Sequence, residues 1–235
     1  GGDSGEPLPV RFAGHADVSG RVRGAARTQD LTVRITDGDL LAGDAQRPWN
    51  ITDGEVRVLG AQQELLGLHA RQGEAQLELS GLLPDGAAPL NLHLHATTPR
   101  IEELFPQFLP PAWSRRVATC GLSGFANVTV ELHAAQDGAA EPRQAADVAL
   151  QVERARPAPL PLELQNLKAE LSILPDRFRL SSVVAQCGAA GQVEIRQARD
   201  GTYCADGPEA EFALAAKNLA VTHDLLAALP AGAWA

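Results

Sequence analysis

Methionine is absent from these 235 residues, tyrosine occurs once, and aromatic side chains make up only 4% of the chain. Sugar platforms and single-stranded nucleic-acid grooves stack their ligands on exposed rings, and few rings are on offer here. Lysine is nearly as scarce, so arginine supplies almost all of the 20 basic residues, which are set against 29 acidic ones for a net charge of −9. Without a Lys/Arg cluster, nucleic acid is excluded as a partner, as is an electrostatic hold on anionic lipid headgroups. No run approaches the roughly 18 to 20 apolar residues of a membrane span, and GGDSGEPLPV at the start has neither the charged nor the apolar region of a signal peptide. The chain is expected to be an interior fragment, with any anchor or export segment elsewhere in its parent.

Recognisable chemistry is also missing. There is no phosphate-cradling loop, dinucleotide fingerprint, Cys-x-x-Cys pair or nucleophile elbow. Gly2-Asp3-Ser4-Gly5 shares residues with the nucleophile segment of chymotrypsin-like proteases, but those enzymes need histidine and aspartate strands ahead of the serine. Residues 1–9 are read instead as a disordered leader. His93 and His95 stand two apart on the polar face of one strand, a spacing that offers two metal ligands; with no third ligand to name, they read as solvent-facing imidazoles. No acid, base and nucleophile can be assembled, so the chain is read as a non-enzyme without a cofactor. Of three cysteines, Cys187 and Cys204 could form a loop-to-loop disulfide or remain buried thiols, leaving Cys120 over.

What the chain does have is alternation. Leu31, Val33 and Ile35 alternate with Thr32 and Arg34, Leu77 and Leu79 with Gln76 and Glu78, and Leu92 and Leu94 with Asn91 and His93. Later, Val128 and Val130, Val148 and Leu150, Leu167 and Ala169, and Phe212 and Leu214 continue it. Period two with one apolar and one wet face means β-strand. Asp37-Gly38, Asp53-Gly54, Asp85-Gly86, Asp137-Gly138, Pro175-Asp176, Asp200-Gly201 and Asp206-Gly207 read as the turns between strands. Short connections predict an antiparallel meander. The Ala/Pro-rich stretches 136–143 and 155–161 read as loose connections.

The pattern also occurs twice. Leu90 to Trp113 and Glu211 to Trp234 each run from an alternating strand through a short amphipathic segment to a proline break and a tryptophan. Working backward, Ala70-Arg-Gln-Gly73 with Leu77-Glu-Leu79 answers Ala185-Gln-Cys-Gly188 with Val193-Glu-Ile195. Ile51 to Val58 answers Leu164 to Ile173, Asp30 to Ile35 answers Asp147 to Val152, and Ala16-Asp-Val18 answers Ala126-Asn-Val128. Matches in a common order point to duplication. The expected fold is mostly β: two tandem antiparallel meanders of about six strands, residues 10–120 and 121–235, curling into an apolar groove. Each would close with a short helix, one carrying Ile101, Leu104, Phe105 and Phe108 on one face, the other Leu225, Leu226 and Leu229.

This cadence of apolar-x-apolar, Gly, apolar-x-apolar, at Leu68 to Gly81 and Val183 to Ile195, resembles the AsmA-like envelope protein family of the TamB and YhdP type, within the bridge-like lipid transfer superfamily. The resemblance implies a bent sheet whose apolar groove holds and conducts phospholipid acyl chains between bacterial membranes. It also implies a periplasmic location, an inner-membrane anchor outside this chain, and other envelope proteins as further partners. The expected lining is Leu77, Leu79, Leu92 and Leu94 in the first repeat, with Val193, Ile195, Phe212 and Leu214 in the second. The alternative is a structural or protein-binding β-sandwich module with closed cores and no lipid.

Overall fold

The alternating stretches pair with their neighbours in chain order. A computed structural model describes residues 10–23, 28–42, 47–60, 62–83, 91–108, 118–134, 144–158, 162–174, 177–197, 204–205 and 212–220. These form β1 (Val10–Arg23), β2 (Thr28–Ala42), β3 (Trp49–Leu59), β4 (Gln62–Gln72), β5 (Ala75–Leu83), β6 (Asn91–Thr98), α1 (Ile101–Phe108), β7 (Leu122–Ala134), β8 (Gln144–Ala155), β9 (Leu164–Leu174), β10 (Arg177–Cys187), β11 (Gly191–Gln197), β12 (Cys204–Ala205) and β13 (Phe212–Lys217). One open sheet runs from β1 to β11 and then β13, while β12 pairs with β10 off this path. The protein is mostly β, as its periodicity predicts. The chain divides into two compact units, one of Gly1–Thr98, Val128–Val148 and Ser172–Asp176, the other of Pro99–Asn127, Ala149–Leu171 and Arg177–Ala235.

In the first unit β1 to β6 are antiparallel neighbours, and their register puts like beside like. Ala16, Ile35, Gly54, Leu68, Leu79 and Leu94 form one cross-strand row, and Val18, Val33, Val56, Leu65, Gly81 and Leu92 the next. Holding these rows on one face requires bulges, because the sequence slips by one residue within three strands. Thr36 in β2 is an extra residue opposite His15 and Ala16, Thr52 in β3 an extra residue between Ile51 and Asp53, and Leu66 in β4 lies in the shift between Leu65 and Leu68. Each added residue restores the alternation. Asp37-Gly38 and Asp53-Gly54, expected as turns, are therefore inside β2 and β3. Their small and polar residues accommodate bulges rather than chain reversals. At Gly54 a Cβ would stand 3.1 Å from Leu68 Cδ1, so the missing side chain makes room for a core leucine.

The second unit has its own core of Ala155, Leu164, Leu167, Ala169, Ala185 and Val193, flanked by Leu150, Val183 and Ile195. β11 lies between β10 and β13. Helix α1 opens with Glu102 and Glu103, acidic residues that suit the positive end of the helix dipole. Its Ile101 and Leu104 are buried as expected, and Glu102 accepts a hydrogen bond from the Gly124 amide at 3.3 Å. The expected second helix lies outside the described residues, as does the leader.

One further expectation is corrected and one open alternative is decided. Residues 155–158 are not loose: Ala155 is buried, and the amides of Arg156 and Ala158 donate to the carbonyls of Gly121 and Thr119 at 3.0 and 2.8 Å. Nor do Cys187 and Cys204 bond. Cys187 is a free thiol at one end of β10, whereas Cys204 pairs with Phe178 near the other. Nine residues of extended strand, roughly 30 Å, separate those positions, far beyond the reach of a disulfide.

Candidate functional site

The expected lining residues come together as two patches, one in each unit. In the first, Leu79 faces Leu94 across the β5–β6 pair, Leu77 faces Ala96 and Leu92 faces Gly81. In the second, Ile195 faces Leu214, Val193 faces Ala216 and Phe212 pairs with Gln197. Exposure differs sharply within these patches. Leu77, Leu92 and Val193 are 4%, 8% and 1% exposed, whereas Leu214 is 49% exposed. Leu79, Leu94 and Ile195 are half-buried, and the Phe212 side chain lies outside the described set. Val193 belongs to the second unit's core, with Ile195 packed against it.

The first patch contains only aliphatic side chains and glycine, and the second adds Phe212 and the Gln197 amide, whose Oε1 accepts from the Leu180 backbone N–H. The first patch offers no donor, acceptor or charge to fix a ligand's position, and its chemistry is limited to contact with something equally apolar. Such a surface can hold a hydrocarbon chain or another protein layer.

The three bulges meet in a second feature that period counting misses. An open depression of about 450 Å³ is lined by Thr36, Thr52 and Leu66 together with Arg34, Asp53, Glu55, Ile35, Gly54 and Gly67. Arg34 pairs with Glu55 at 3.4 Å across its rim. The signal for it is the slip of alternation itself, at Thr36, Thr52 and Leu66.

The face of the first unit opposite its aliphatic rows is polar and unexpectedly ordered. Asp53, His69, Glu78 and His95 occupy one cross-strand row from β3 to β6. His69 Nδ1 is 2.6 Å from Asp53 Oδ1, and the Thr52 hydroxyl is 3.2 Å from Asp53 Oδ2. The hydrogen bond from His69 is the main cause that holds the Asp53 carboxyl below its ordinary range. His93 and His95 project from β6 toward β7, where His93 Nδ1 lies 3.7 Å from Glu131 and His95 Nδ1 lies 3.3 Å from the Thr129 hydroxyl. Among the described residues no group of three or more His, Cys, Asp or Glu side chains is arranged to hold a metal ion. Their neighbours are single protein partners, one for each ring.

No described helix is long and apolar enough to cross a membrane. Comparison with protein-family models, with curated proteins and with solved structures finds no match for this chain.

Proposed function

We propose that this chain is part of an AsmA-like envelope protein and that its aliphatic sheet face carries phospholipid acyl chains. The observation behind this reading is the pair of unbroken rows from β1 to β6, Ala16 to Leu94 and Val18 to Leu92. A ligand that must slide needs a surface that grips by area and nowhere by geometry. At about 0.8 kcal/mol per buried methylene, one chain of about sixteen carbons would contribute on the order of 10 kcal/mol to such a face. Half-buried Leu79, Leu94 and Ile195 and exposed Leu214 are the lining members within a ligand's reach; Leu77, Leu92 and Val193 would form the wall behind them. The reading contains no catalytic step. It places the protein in the periplasm, anchored to the inner membrane by a segment outside this chain, with other envelope proteins as further partners.

The proposal includes duplication. The strand order from β1 to β6 parallels that of β7 to β11 followed by β13, and matched features recur at matched points. Ala70 and Ala185 are both buried, and Gly73 and Gly188, which follow them, have φ of 62° and 64°.

A second reading has its own support. Burial of Leu77, Leu92 and Val193 is what a protein-filled core produces, and it favours a structural or protein-binding module without lipid. Native mass spectrometry of the purified protein, with organic extraction of its cargo, separates the two. Phospholipid in fixed stoichiometry is the expected result, and a bare, stable protein would sink the conduit. Leu94→Asp and Leu214→Asp, at positions within a ligand's reach, should then abolish lipid loading while the β circular-dichroism signal survives; unfolding of both variants would favour the plain core.

A further inference from the structure

The polar face of the first unit carries four histidines that successive strands hold against partners. His69 on β4 sits between Asp53 of β3, at 2.6 Å from Nδ1, and Glu78 of β5, at 3.9 Å from Nε2. His95 on β6 is the register neighbour of Glu78 and reaches Thr129 on β7. His93 reaches Glu131 on the same strand. His133 on β7 has Nδ1 2.9 Å from the Ala134 carbonyl and Nε2 2.8 Å from Asp147 Oδ2 on β8. The belt crosses every strand from β3 to β8.

A neutral imidazole has one N–H and one bare nitrogen, whereas a carboxylate or carbonyl can only accept. Neutral His133 can therefore satisfy one of its two contacts, and the imidazolium satisfies both. We propose that His133 is a pH-set fastener within this belt: its protonated ring ties β7 to β8, while deprotonation frees one of these two contacts and loosens that seam.

The hydrogen bond to the Ala134 carbonyl, followed by that to Asp147, raises the His133 pKa above the ordinary 6.5. A raised folded-state pKa sets the sign: the tie is complete below pH 6.5 and is lost as pH rises through the higher folded value. The described charges facing His133 are Asp147 from β8 and Glu131 from its own strand. Those near the Asp53–His69 pair are Glu78 from β5 and Arg71 from β4.

The test is a histidine NMR titration of the whole chain, combined with amide-exchange protection across the β7–β8 pair at pH 5.5 and pH 8. His133 is expected to titrate above 6.5, with higher protection at pH 5.5 after correction for intrinsic exchange. Asp147→Asn should lower that titration point and remove the pH dependence of protection. A His133 titration at or below 6.5, or unchanged protection between the two pH values, overturns the proposal. Should Asp147→Asn fail to fold, the titration of the unaltered protein still decides, and Glu131→Gln supplies a milder second variant.

Discussion

Leu77 of β5 and Leu214 of β13 hold the same rank in the alternating pattern, yet one is 4% exposed and the other 49%. Leu77 has paired strands on both sides, through Ala70 of β4 and Ala96 of β6. Leu214 is paired through Ile195 of β11 on one side, and the sheet path ends at β13. Val18 in β1, the strand at the other end of that path, is likewise 64% exposed. Alternation assigns a residue to a face, and the depth of burial on that face depends on how many neighbouring strands flank it.

The largest expected effect tests that contrast directly. Leu77→Ala should destabilise the protein by about 2–5 kcal/mol, because it leaves a cavity among buried neighbours. Leu214→Ala should stay within about 0.5 kcal/mol. Chemical denaturation of both variants measures the gap, and equal losses would mean that strand position does not govern burial here. A smaller effect compares the matched turns. Gly73 and Gly188 both have left-handed φ with open space where a Cβ would stand, so alanine at either should cost about 1–2 kcal/mol through backbone strain alone. Clearly unequal costs in the same denaturation assay would break the correspondence between the two halves.

The smallest effect lies on the polar face. Because hydrogen bonding from His69 lowers the Asp53 pKa from 3.8, its contribution is present above that value and fades as pH falls through the lower folded-state value. Asp53→Asn should lower stability slightly near neutrality, leave it unchanged at low pH where the contribution has already gone, and so flatten the acid limb of the stability–pH curve. A loss at neutral pH comparable to that of Leu77→Ala would show that the pair supports the fold in another way.

Period two was enough to name the strand faces, since in an extended chain successive side chains must point to opposite sides. Leu79 and Leu94 could be assigned to one apolar patch on that ground alone, and their pairing agrees. Two of the turn signals, Asp37-Gly38 and Asp53-Gly54, misled for a physical reason. Aspartate and glycine relax the backbone wherever it must depart from regular pleating, and a bulge needs that as much as a reversal does. The slip in parity between Ile35 and Leu40, and between Ile51 and Val56, was the better guide.

The histidine row shows the same limit from the polar side. His69 and His95 are both outward-facing by parity, but sequence distance does not reveal that Glu78 stands between them. That juxtaposition follows from the β4–β5 and β5–β6 registers, which long-range pairing and bulge placement set. Cys187 and Cys204 were similarly open to pairing until the strand positions separated them.

By itself, the sequence determined the β class, the apolar and polar faces and the position of α1, because each follows from local periodicity and the chemistry of single residues. Tertiary structure alone decided which leucines are buried, where the bulges gather and which carboxylate meets which imidazole. Those properties depend on registers between strands that are distant in the chain, and one added residue in any strand exchanges its two faces.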